Sequence, residues 1–385
     1  MENFIYYNKT KIIFGKDVEK DCGQECAKYG KKVLVHYGGG SVIKSGLLDR
    51  VIESLEKAGL TIYQLGGVVP NPRLSLVYEG VKLVKEKKID IVLAVGGGSV
   101  IDSGKAIALG SKYDGDVWDF YIGKATPKDI LPIGTVLTIP AAGSESSYST
   151  VITNDEMGLK RSFRNDINRP LFSFLDPKII ATVPKKQQIA GICDMYSHVV
   201  ERYFTSVEHV ELTNQLCEAT FRSIILEAPN YLKDPSDYDA ASEIMWTAAF
   251  AHNSILETGR IADWGTHSIE HELSAEYDIT HGLGIAIMLP AWMKYVYKKN
   301  LPLFARYARN VYGIEENDDE KAALLGIEAT KNFFKNLGAP VSLSEVNIPK
   351  DKFQKMAHKA VILGPVGHMV LLKEEDIVKI YELAY

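Results

Sequence analysis

Four side chains of the types that bind a divalent metal stand in two clusters of the chain. Asp194 and His198 are four residues apart in GICDMYSHVVERY, so on a helix both point from the same face. His267 and His281 bracket HSIEHELSAEYDITH and bring two more imidazoles from a separate segment. Three imidazoles and one carboxylate suit a first-row dication such as Fe²⁺, Zn²⁺ or Mn²⁺, and the set lacks the thiolates of a closed structural zinc site. The spacing therefore predicts a catalytic metal centre.

A glycine-rich turn in IDIVLAVGGGSVIDSGKAIAL is the second feature that indicates chemistry. Ile89 to Val95 form an apolar, β-branched run typical of a buried strand, and the GGGS that follows leads into a helix expected to begin near Val100. Glycines let the backbone approach a phosphate, and the amides and dipole at a helix start attract the anion. The run is not the spaced GxGxxG of ordinary Rossmann sites, and glycine triplets also end strands for conformational reasons alone. Downstream, Leu137 to Ile139 are expected to close another strand before a second small-residue loop, AAGSESS.

These motifs together resemble a known family. Asp-x3-His followed by His-x13-His, with VGGGSVIDSGKA and TIPAAGSES upstream, closely resembles the iron-containing (group III) alcohol dehydrogenases, over essentially the whole chain. ADWGTHSIEHELSAEYDITHGLGIAIMLPAWMKY is similar to the branch of butanol dehydrogenases and broad aldehyde reductases. The resemblance implies an NAD(P)H-linked enzyme that interconverts short-chain aldehydes and primary alcohols such as butyraldehyde and butanol. It also implies a dehydroquinate synthase-like architecture, Fe²⁺ as the first metal to expect with Zn²⁺, Co²⁺ or Mn²⁺ possible, and a homodimer.

The resemblance also assigns roles to individual residues. It makes Asp194, His198, His267 and His281 the metal ligands. His271, four residues after His267, lies beside the substrate pocket in the resembling family, where it can relay a proton. Other residues match positions around the dinucleotide: Asn71, Gly97, Gly98, Ser99, Asp102, Thr138, Ser147 and Lys160. Three of these have structural alternatives, because Asn71-Pro72 is also a turn dipeptide, Lys160 a solvated charge, and Asp102 a first-turn residue that opposes the helix dipole.

The end of the second predicted strand bears on which dinucleotide is used. NAD-selective sites usually present an acidic side chain there, which holds the adenosine ribose 2′-hydroxyl. Here the strand from Lys32 to His36 runs into Tyr37, Gly38, Gly39, Gly40 and Ser41 without a carboxylate. A 2′-phosphate would meet no repulsion, and Ser41 with the amides of Gly38 and Gly39 could donate to it. We expect NADP(H), and NAD(H) remains open because the absence of an acid permits the phosphate without requiring it.

The expected mechanism needs no protein nucleophile. A metal held by four protein ligands keeps a position open for the substrate oxygen, and the nicotinamide exchanges hydride with the substrate carbon. Aldehyde reduction is the expected direction, since a pocket lined by residues such as Tyr148, Phe250 and Trp264 would suit short apolar chains. Aromatic residues at such spacings are more often part of the core.

Other functions fit parts of the sequence. His267-Ser-Ile-Glu270-His271 also matches HxxEH, the inverted zinc-peptidase motif, in which Glu270 would be the general base. A peptidase leaves the glycine loops unexplained, and loss of Glu270 is expected to abolish a peptidase but to leave a dehydrogenase largely active. A glycerol dehydrogenase-like polyol oxidoreductase, a lyase of the dehydroquinate synthase type and a nucleotide sensor without enzymatic activity are the remaining alternatives.

The organisation of the chain changes near residue 180. Residues 1–180 alternate short β-rich runs with helical stretches, the pattern of an α/β dinucleotide-binding domain with a Rossmann-like parallel sheet. Residues 181–385 show helical spacing throughout, which predicts an all-helical metal-binding domain. The stretch 175–187, LDPKIIATVPKKQ, carries two prolines and is expected to cross between the domains. The metal should then lie on the helical side of an interdomain cleft.

Composition excludes several other classes of protein. With 385 residues, 46% of them hydrophobic, and a net charge of -5, the chain can bury sizeable cores and offers no basic footprint for nucleic acid. No apolar run approaches the roughly 20 residues that span a bilayer, and the N-terminal stretch lacks an apolar signal core, so we expect a cytoplasmic protein with small-molecule partners. The four cysteines show no repeated CxxC arrangement, which favours reduced thiols: Cys22, Cys26, Cys193 and Cys217.

Overall fold

The computed structural model describes all residues from Met1 to Tyr385, and the chain folds into two compact units. The first, here called the α/β unit, contains Tyr7–Pro184 and Pro235–Ala249. The second, the helical unit, contains Met1–Tyr6, Lys185–Asp234 and Phe250–Tyr385. The α/β class followed by a helical part is therefore confirmed.

Eight strands occur, all in the first half of the chain. Their bounds are β1 Lys11–Phe14, β2 Lys32–Gly38, β3 Thr61–Val68, β4 Ile91–Gly96, β5 Ile133–Leu137, β6 Ser149–Asn154, β7 Leu159–Arg164 and β8 Phe172–Leu175. Six of them form a parallel sheet in the order β1-β8-β5-β4-β2-β3, and β6 pairs with β7 as an antiparallel hairpin.

Fifteen α-helices and seven short 3₁₀ helices make up the rest of the regular structure. Those of the first half are α1 Cys22–Cys26, α2 Ser41–Lys44, α3 Leu47–Lys57, α4 Leu74–Lys87, α5 Gly98–Ser111 and α6 Trp118–Tyr121. Those of the second half are α7 Lys185–Tyr203, α8 Glu211–Lys233, α9 Tyr238–Ala251, α10 Gly265–Tyr277, α11 His281–Val296, α12 Leu301–Tyr312, α13 Asp319–Leu337, α14 Phe353–Ala360 and α15 Glu374–Leu383. None of them is both long and apolar enough to cross a membrane.

The central strands are apolar along their whole length because both faces of the sheet are covered. Every residue of β4 and β5 is buried. Side chains alternate between the two faces, so Val92 enters one hydrophobic core while Ile91 and Leu93 enter the other. The parallel strands therefore end together at one edge, which is where sheets of this kind bind ligands.

The order of the strands changes direction beside β2. β3 pairs with β2 on the outer side, whereas β4, β5 and β8 extend the sheet on the other side. β2 ends at Gly38 and β4 at Gly96, with Tyr37 opposite Val95 in the ladder between them. The two glycine runs seen in the sequence thus leave neighbouring strands at the point where the strand order reverses.

Several boundaries differ from those expected. α5 begins at Gly98 rather than near Val100, because the Gly97 carbonyl already accepts the amides of Val100 and Ile101. β5 ends at Leu137 and does not continue to Ile139, and Pro140 then bars any further extension because it cannot donate to a ladder. α7 begins at Lys185, so the crossing stretch 175–187 already ends in a helix. The hairpin β6–β7 was not predicted, because its residues mix polar and apolar types without regular alternation.

Candidate metal centre and dinucleotide loops

The structure brings the four predicted metal ligands together from three helices. α7 carries Asp194 and His198, α10 carries His267, and His281 is the first residue of α11. Asp194 Oδ1 lies 3.6 Å from His198 Nε2, 3.7 Å from His267 Nε2 and 3.6 Å from His281 Nε2. One carboxylate oxygen is therefore surrounded by three imidazole nitrogens, none of which is within hydrogen-bond distance of it.

The ligand atoms of Asp194, His267 and His281 all lie within 4.8 Å of one another and fit a shared cation, whereas His198 is near Asp194 Oδ1 but outside that group of three. Four ligand atoms about 2.1 Å from one ion in a tetrahedral arrangement are about 3.4 Å apart. Asp194 Oδ1 and His267 Nε2 are moreover buried atoms without any hydrogen-bond partner, which is costly unless something else satisfies them. The donor set and its spacing thus fit a first-row dication such as Fe²⁺ or Zn²⁺.

A glycine lets α11 approach α7 closely enough to form this cluster. A Cβ atom at Gly282 would lie only 1.9 Å from the carbonyl oxygen of Ala190, so no larger residue fits without moving a helix. Gly282 follows His281, and Ala190 precedes Asp194 by one helical turn. The backbone contact therefore sets the distance between ligands on different helices.

The start of α10 is held by a buried carboxylate. Asp263 accepts the backbone amides of Gly265, His368 and Met369 at 2.9, 2.9 and 2.7 Å. Burial, together with the negative charge of Glu201, raises the pKa of Asp263 to about 6. This capping interaction fixes the helix end that lies two residues before His267.

Two of the ligand imidazoles contact buried glutamates through their other nitrogen. Glu201 Oε1 accepts a hydrogen bond from His267 Nδ1 at 2.8 Å, and Glu270 Oε2 accepts one from His281 Nδ1. Both glutamates are fully buried. Glu270 therefore bonds to the rear nitrogen of a ligand imidazole, and the expectation that a dehydrogenase tolerates its loss stays a prediction.

The charges of this cluster support one another. Burial on its own would raise the pKa of Asp194, but the imidazoles of His267 and His281 outweigh it and lower that pKa. Burial on its own would lower the pKa of His267, but the carboxylates of Asp194 and Glu201 outweigh it and raise that pKa. The carboxylate is thus kept in the ionised form that a cation requires.

Further rings surround the cluster. The ring of His252 is 4.1 Å from that of His198, and Trp264 lies 5.1 Å from His267 between ring centroids. His271 is half-buried, with its ring 5.6 Å from that of His281. Trp264 is therefore buried against the cluster, and its role as a pocket residue stays a prediction. Of the other two, Phe250 is half-buried in the helical unit, whereas Tyr148 belongs to the α/β unit and lies under Arg169.

The glycine turn after β4 is closely packed against the second small-residue loop. A Cβ atom at Gly98 would come within 2.8 Å of the Ala142 side chain, and the amide of Thr138 donates to the Gly96 carbonyl at 3.1 Å. Gly97, Gly98 and Ser99 therefore lie beside Thr138 at the carboxyl edge of the sheet, as the strand order requires.

A buried network joins α5 to this loop. Asp102 accepts Ser144 Oγ at 2.5 Å and the Val151 amide at 3.0 Å. Lys105, also fully buried, donates to Ser144 Oγ at 2.9 Å and to the Ser147 carbonyl at 3.1 Å. Burial lowers the pKa of Lys105 to about 8 although the charge of Asp102 opposes this. Asp102 thus bonds to the loop through its side chain, in addition to its place on α5.

Two more predicted cofactor residues contact each other. Lys160 Nζ donates to Asn71 Oδ1 at 3.0 Å, and both side chains are buried, so the solvated-charge alternative for Lys160 is wrong. Asn71 has a φ of 55°, in keeping with its turn position. The remaining predicted residues, Gly38, Gly39 and Ser41, lie at the end of β2 and the start of α2, where no Cβ clash occurs at Gly39.

Two residues of the site were not predicted although their spacing from predicted residues could have indicated them. Glu201 is three residues after His198 on α7, and Lys105 is three residues after Asp102 on α5, so each shares a helix face with a predicted residue. His252 gave no such signal, because its position beside His198 depends on how separate segments pack.

A parallel sheet with a glycine-rich strand-to-helix turn, joined to a helical unit that gathers three imidazoles and a carboxylate, defines a class of metal-dependent dehydrogenases. Sequence comparison makes this specific: residues 9–177 match the family of iron-containing alcohol dehydrogenases, and residues 188–385 match the C-terminal part of the Fe-containing alcohol dehydrogenase family. The chain belongs to the iron-containing alcohol dehydrogenase family.

Individual relatives agree along the whole length. The chain is 45% identical to the probable NADH-dependent butanol dehydrogenase 1 of Bacillus subtilis, with 99% of each chain covered. It is 36% identical to the NADPH-dependent aldehyde reductase YqhD of Escherichia coli, with 100% of each covered. The crystal structure of NADH-dependent butanol dehydrogenase A from Thermotoga maritima matches with a TM-score of 0.97 at 42% identity, covering 100% of this chain and 99% of that one. The predicted fold class, with its dehydroquinate synthase-like architecture, is confirmed.

Proposed function

We propose that this protein is a metal-dependent, NAD(P)H-linked alcohol dehydrogenase and aldehyde reductase that interconverts short-chain aldehydes and primary alcohols, such as butyraldehyde and butanol. The observation that carries the proposal is the set of three imidazole nitrogens, 3.6 to 3.7 Å from one buried carboxylate oxygen. Relatives of 36 to 45% identity, named butanol dehydrogenase or aldehyde reductase, support the same reaction.

Asp194, His198, His267 and His281 are the proposed metal ligands. Fe²⁺ is the metal that the family name favours, and Zn²⁺, Co²⁺ or Mn²⁺ suit the same donors. A bound dication would polarise an aldehyde carbonyl or lower the pKa of an alcohol. His271 would exchange the proton at the substrate oxygen, because it is half-buried beside His281 and so has access to solvent.

The α/β unit is the proposed dinucleotide-binding domain. Gly97, Gly98 and Ser99 would receive the pyrophosphate at the start of α5, where the amides and the dipole of a 14-residue helix attract an anion. Asn71, Thr138, Ser147 and Lys160 would contact the rest of the cofactor. Asp102 would act through the loop that it holds, because both of its carboxylate oxygens already accept hydrogen bonds.

The preference between the two dinucleotides stays a prediction. Four relatives of 40 to 45% identity are named NADH-dependent, and one of 36% is named NADPH-dependent. The end of β2 nevertheless carries no carboxylate in Gly38–Ser41 that would reject a 2′-phosphate. We propose that this site admits NADP(H), as the sequence analysis expected, and that NAD(H) also binds.

The zinc peptidase alternative has lost its support. A peptidase base must reach a water molecule, but Glu270 is fully buried and accepts hydrogen bonds from His281 Nδ1 and from Ser274 Oγ. Its carboxylate is therefore engaged in holding another side chain.

A homodimer in the cytoplasm completes the proposal. The first residues of the chain leave large apolar side chains exposed to solvent: Met1, Phe4, Ile5 (95% exposed), Tyr6 and Tyr7. The strand that follows them, β1, is an edge strand of the sheet. A second copy of the chain would cover such a surface. All four cysteines are buried free thiols, as a reducing compartment allows. Light scattering of the whole chain, and of a variant without residues 1–7, measures this association.

A metal reconstitution experiment tests the enzyme activity. The protein is stripped with a chelator, loaded separately with Fe²⁺, Zn²⁺, Co²⁺ or Mn²⁺, and assayed for oxidation of NADH and of NADPH with butyraldehyde. Glycerol with the oxidised dinucleotides serves as the polyol arm. We expect metal-dependent aldehyde reduction that exceeds glycerol oxidation. Failure of every metal to support oxidation of either nucleotide would refute the proposal.

A further inference from the structure

Two buried glutamates stand behind the candidate metal ligands, each bonded to the Nδ1 atom of a ligand imidazole. Glu201 lies on α7, one turn beyond His198, and Glu270 lies on α10, one turn beyond His267. We propose that both are positioning residues, which fix the orientation and the tautomer of His267 and His281 and thereby set the affinity for the metal. The inference rests on the metal-dependent function proposed above.

Glu201 holds His267 at two points. Its Oε1 accepts the backbone amide of His267 at 3.0 Å and the ring Nδ1–H at 2.8 Å. An ionised carboxylate only accepts hydrogen bonds, so the ring proton must be on Nδ1. In the neutral ring, the form that binds a cation, the lone pair of His267 is then on Nε2, the atom that faces Asp194 without a hydrogen-bond partner. Glu201 thus selects the one neutral tautomer that can ligate a cation from this position.

Glu270 does the same for His281 from a different helix. Its Oε2 accepts His281 Nδ1–H, and its Oε1 accepts Ser274 Oγ, which keeps the carboxylate from rotating away. Gly284 leaves the space that this carboxylate occupies, since a Cβ atom there would lie 2.5 Å from Glu270 Oε1. A larger residue than glycine at position 284 would therefore displace the carboxylate that bonds to the His281 imidazole.

The charge of Glu201 is a second reason to expect an effect on the metal. This side chain is fully buried, and its Oε2 has no hydrogen-bond partner. A buried carboxylate with an unsatisfied oxygen is unfavourable unless positive charge lies nearby. A dication on His267 Nε2 would supply that charge through the imidazole ring. Removal of the negative charge should therefore weaken binding of the cation even where the hydrogen bond survives.

Cobalt titrations test the inference, because the visible absorption of Co²⁺ reports its coordination. Apo protein is titrated with Co²⁺ against a competing chelator for the wild type and for Glu201→Gln, Glu270→Gln, Glu201→Ala and Glu270→Ala. We expect the Kd for Co²⁺ to rise about 10- to 100-fold, more for alanine than for glutamine, with a changed absorption band. Glu276→Gln is the matched control, since Glu276 lies on α10 but pairs with Lys352 and Lys355.

A glycine variant tests the same contact without changing a charge. Gly284→Ala should displace the Glu270 carboxylate and raise the Kd for Co²⁺ in the same direction, while dinucleotide binding and the circular dichroism spectrum remain those of the wild type. If all glutamine variants fold and bind Co²⁺ within about twofold of the wild type, the inference is wrong and the metal function stands. If the wild type itself binds no Co²⁺, the proposed function fails and the inference with it.

Discussion

Two ionisable groups of the metal cluster in the helical unit differ from two of the dinucleotide loops in the α/β unit in whether hydrogen bonds within the protein satisfy them. In the cluster, Asp194 Oδ1 and His267 Nε2 point at each other from 3.7 Å and have no hydrogen-bond partner. In the loops, Asp102 and Lys160 are as deeply buried, but their charged atoms bond to Ser144, Val151 and Asn71.

The difference reflects the kind of ligand that each region is suited to bind. A cation takes its stability from a few directed lone pairs, which must be left unsatisfied by the protein itself. A dinucleotide is bound largely by backbone amides and by a cleft of matching shape. The side chains around it are therefore available to bond to the loops and hold them in place. A single substitution should therefore have a larger effect in the cluster than in the loops.

Loss of a metal ligand should produce the largest effect. His267→Ala removes one of four donors and with it the metal, which stabilises the transition state by about 4 kcal/mol or more, so turnover should fall at least about 1000-fold. Steady-state reduction of butyraldehyde measures turnover, and metal content is measured separately. Dinucleotide binding, followed by fluorescence, should be unchanged. His358→Ala, at an exposed imidazole that pairs with Glu374, is the control; normal activity of His267→Ala in chelator would refute the ligand assignment.

The next prediction concerns the stability of the α/β unit and the buried residue His36. His36 is buried on β2, where Nδ1 contacts the Leu65 carbonyl at 2.8 Å and Nε2 contacts Ser103 Oγ at 2.9 Å. Burial lowers the pKa of His36 to about 4. Below the ordinary pKa of 6.5 the unfolded state binds more protons than the folded state, so stability should fall as the pH drops from 6.5 towards 4, by roughly 3 kcal/mol in all and about 2 of it by pH 5.

Urea unfolding at several pH values measures this loss. His36→Gln cannot titrate, so it should lose less stability than the wild type over the same interval, whatever its stability at neutral pH. An equal slope in His36→Gln would show that His36 is not the group responsible.

The comparison also explains which parts of the site the sequence could reveal. Asp194 and His198 were recognisable because helix geometry alone puts residues four apart on one face. The contact of Glu270 with His281 could not be predicted, because the spacing of Glu270 from His267 is the same whether its carboxylate faces water or an imidazole. The carboxylate faces an imidazole because His281 bonds to it from another helix. The chain reaches that helix through a turn at Asp278, where φ is 50°.

The sheet was predictable for a similar reason, and the loops were not. Continuous apolar runs such as β4 identify strands that are buried on both faces. The contacts of Lys105 with Ser144 and Ser147 join residues about 40 positions apart, which periodicity cannot pair. Local geometry thus predicted the elements and the pair Asp194 and His198, and the family resemblance added His267 and His281. The contacts of Lys105, Glu201 and Glu270 between segments had to come from the structure.

A lysine in the loops should have a smaller effect than a metal ligand. If Lys160 contacts the cofactor, Lys160→Met removes a charge-assisted hydrogen bond of about 2 kcal/mol, and the KM for the dinucleotide should rise about 30-fold. The Kd for Co²⁺ should not change. Lys128→Met, at an exposed site, is the control. A variant that is less stable but has the KM of the wild type would mean that Lys160 only holds Asn71.

The smallest change is expected at the end of β2, and it separates the two dinucleotides. Gly39 has space for a side chain and does not have positive φ, so Gly39→Asp should fold normally. A carboxylate there would repel a 2′-phosphate by about 1.4 kcal/mol, which corresponds to a tenfold fall in kcat/KM for NADPH relative to NADH. Gly39→Asn has the same shape without the charge and should leave the ratio unchanged. If both variants change the ratio equally, shape and not charge limits binding at this turn, and the reason given for expecting NADP(H) is wrong.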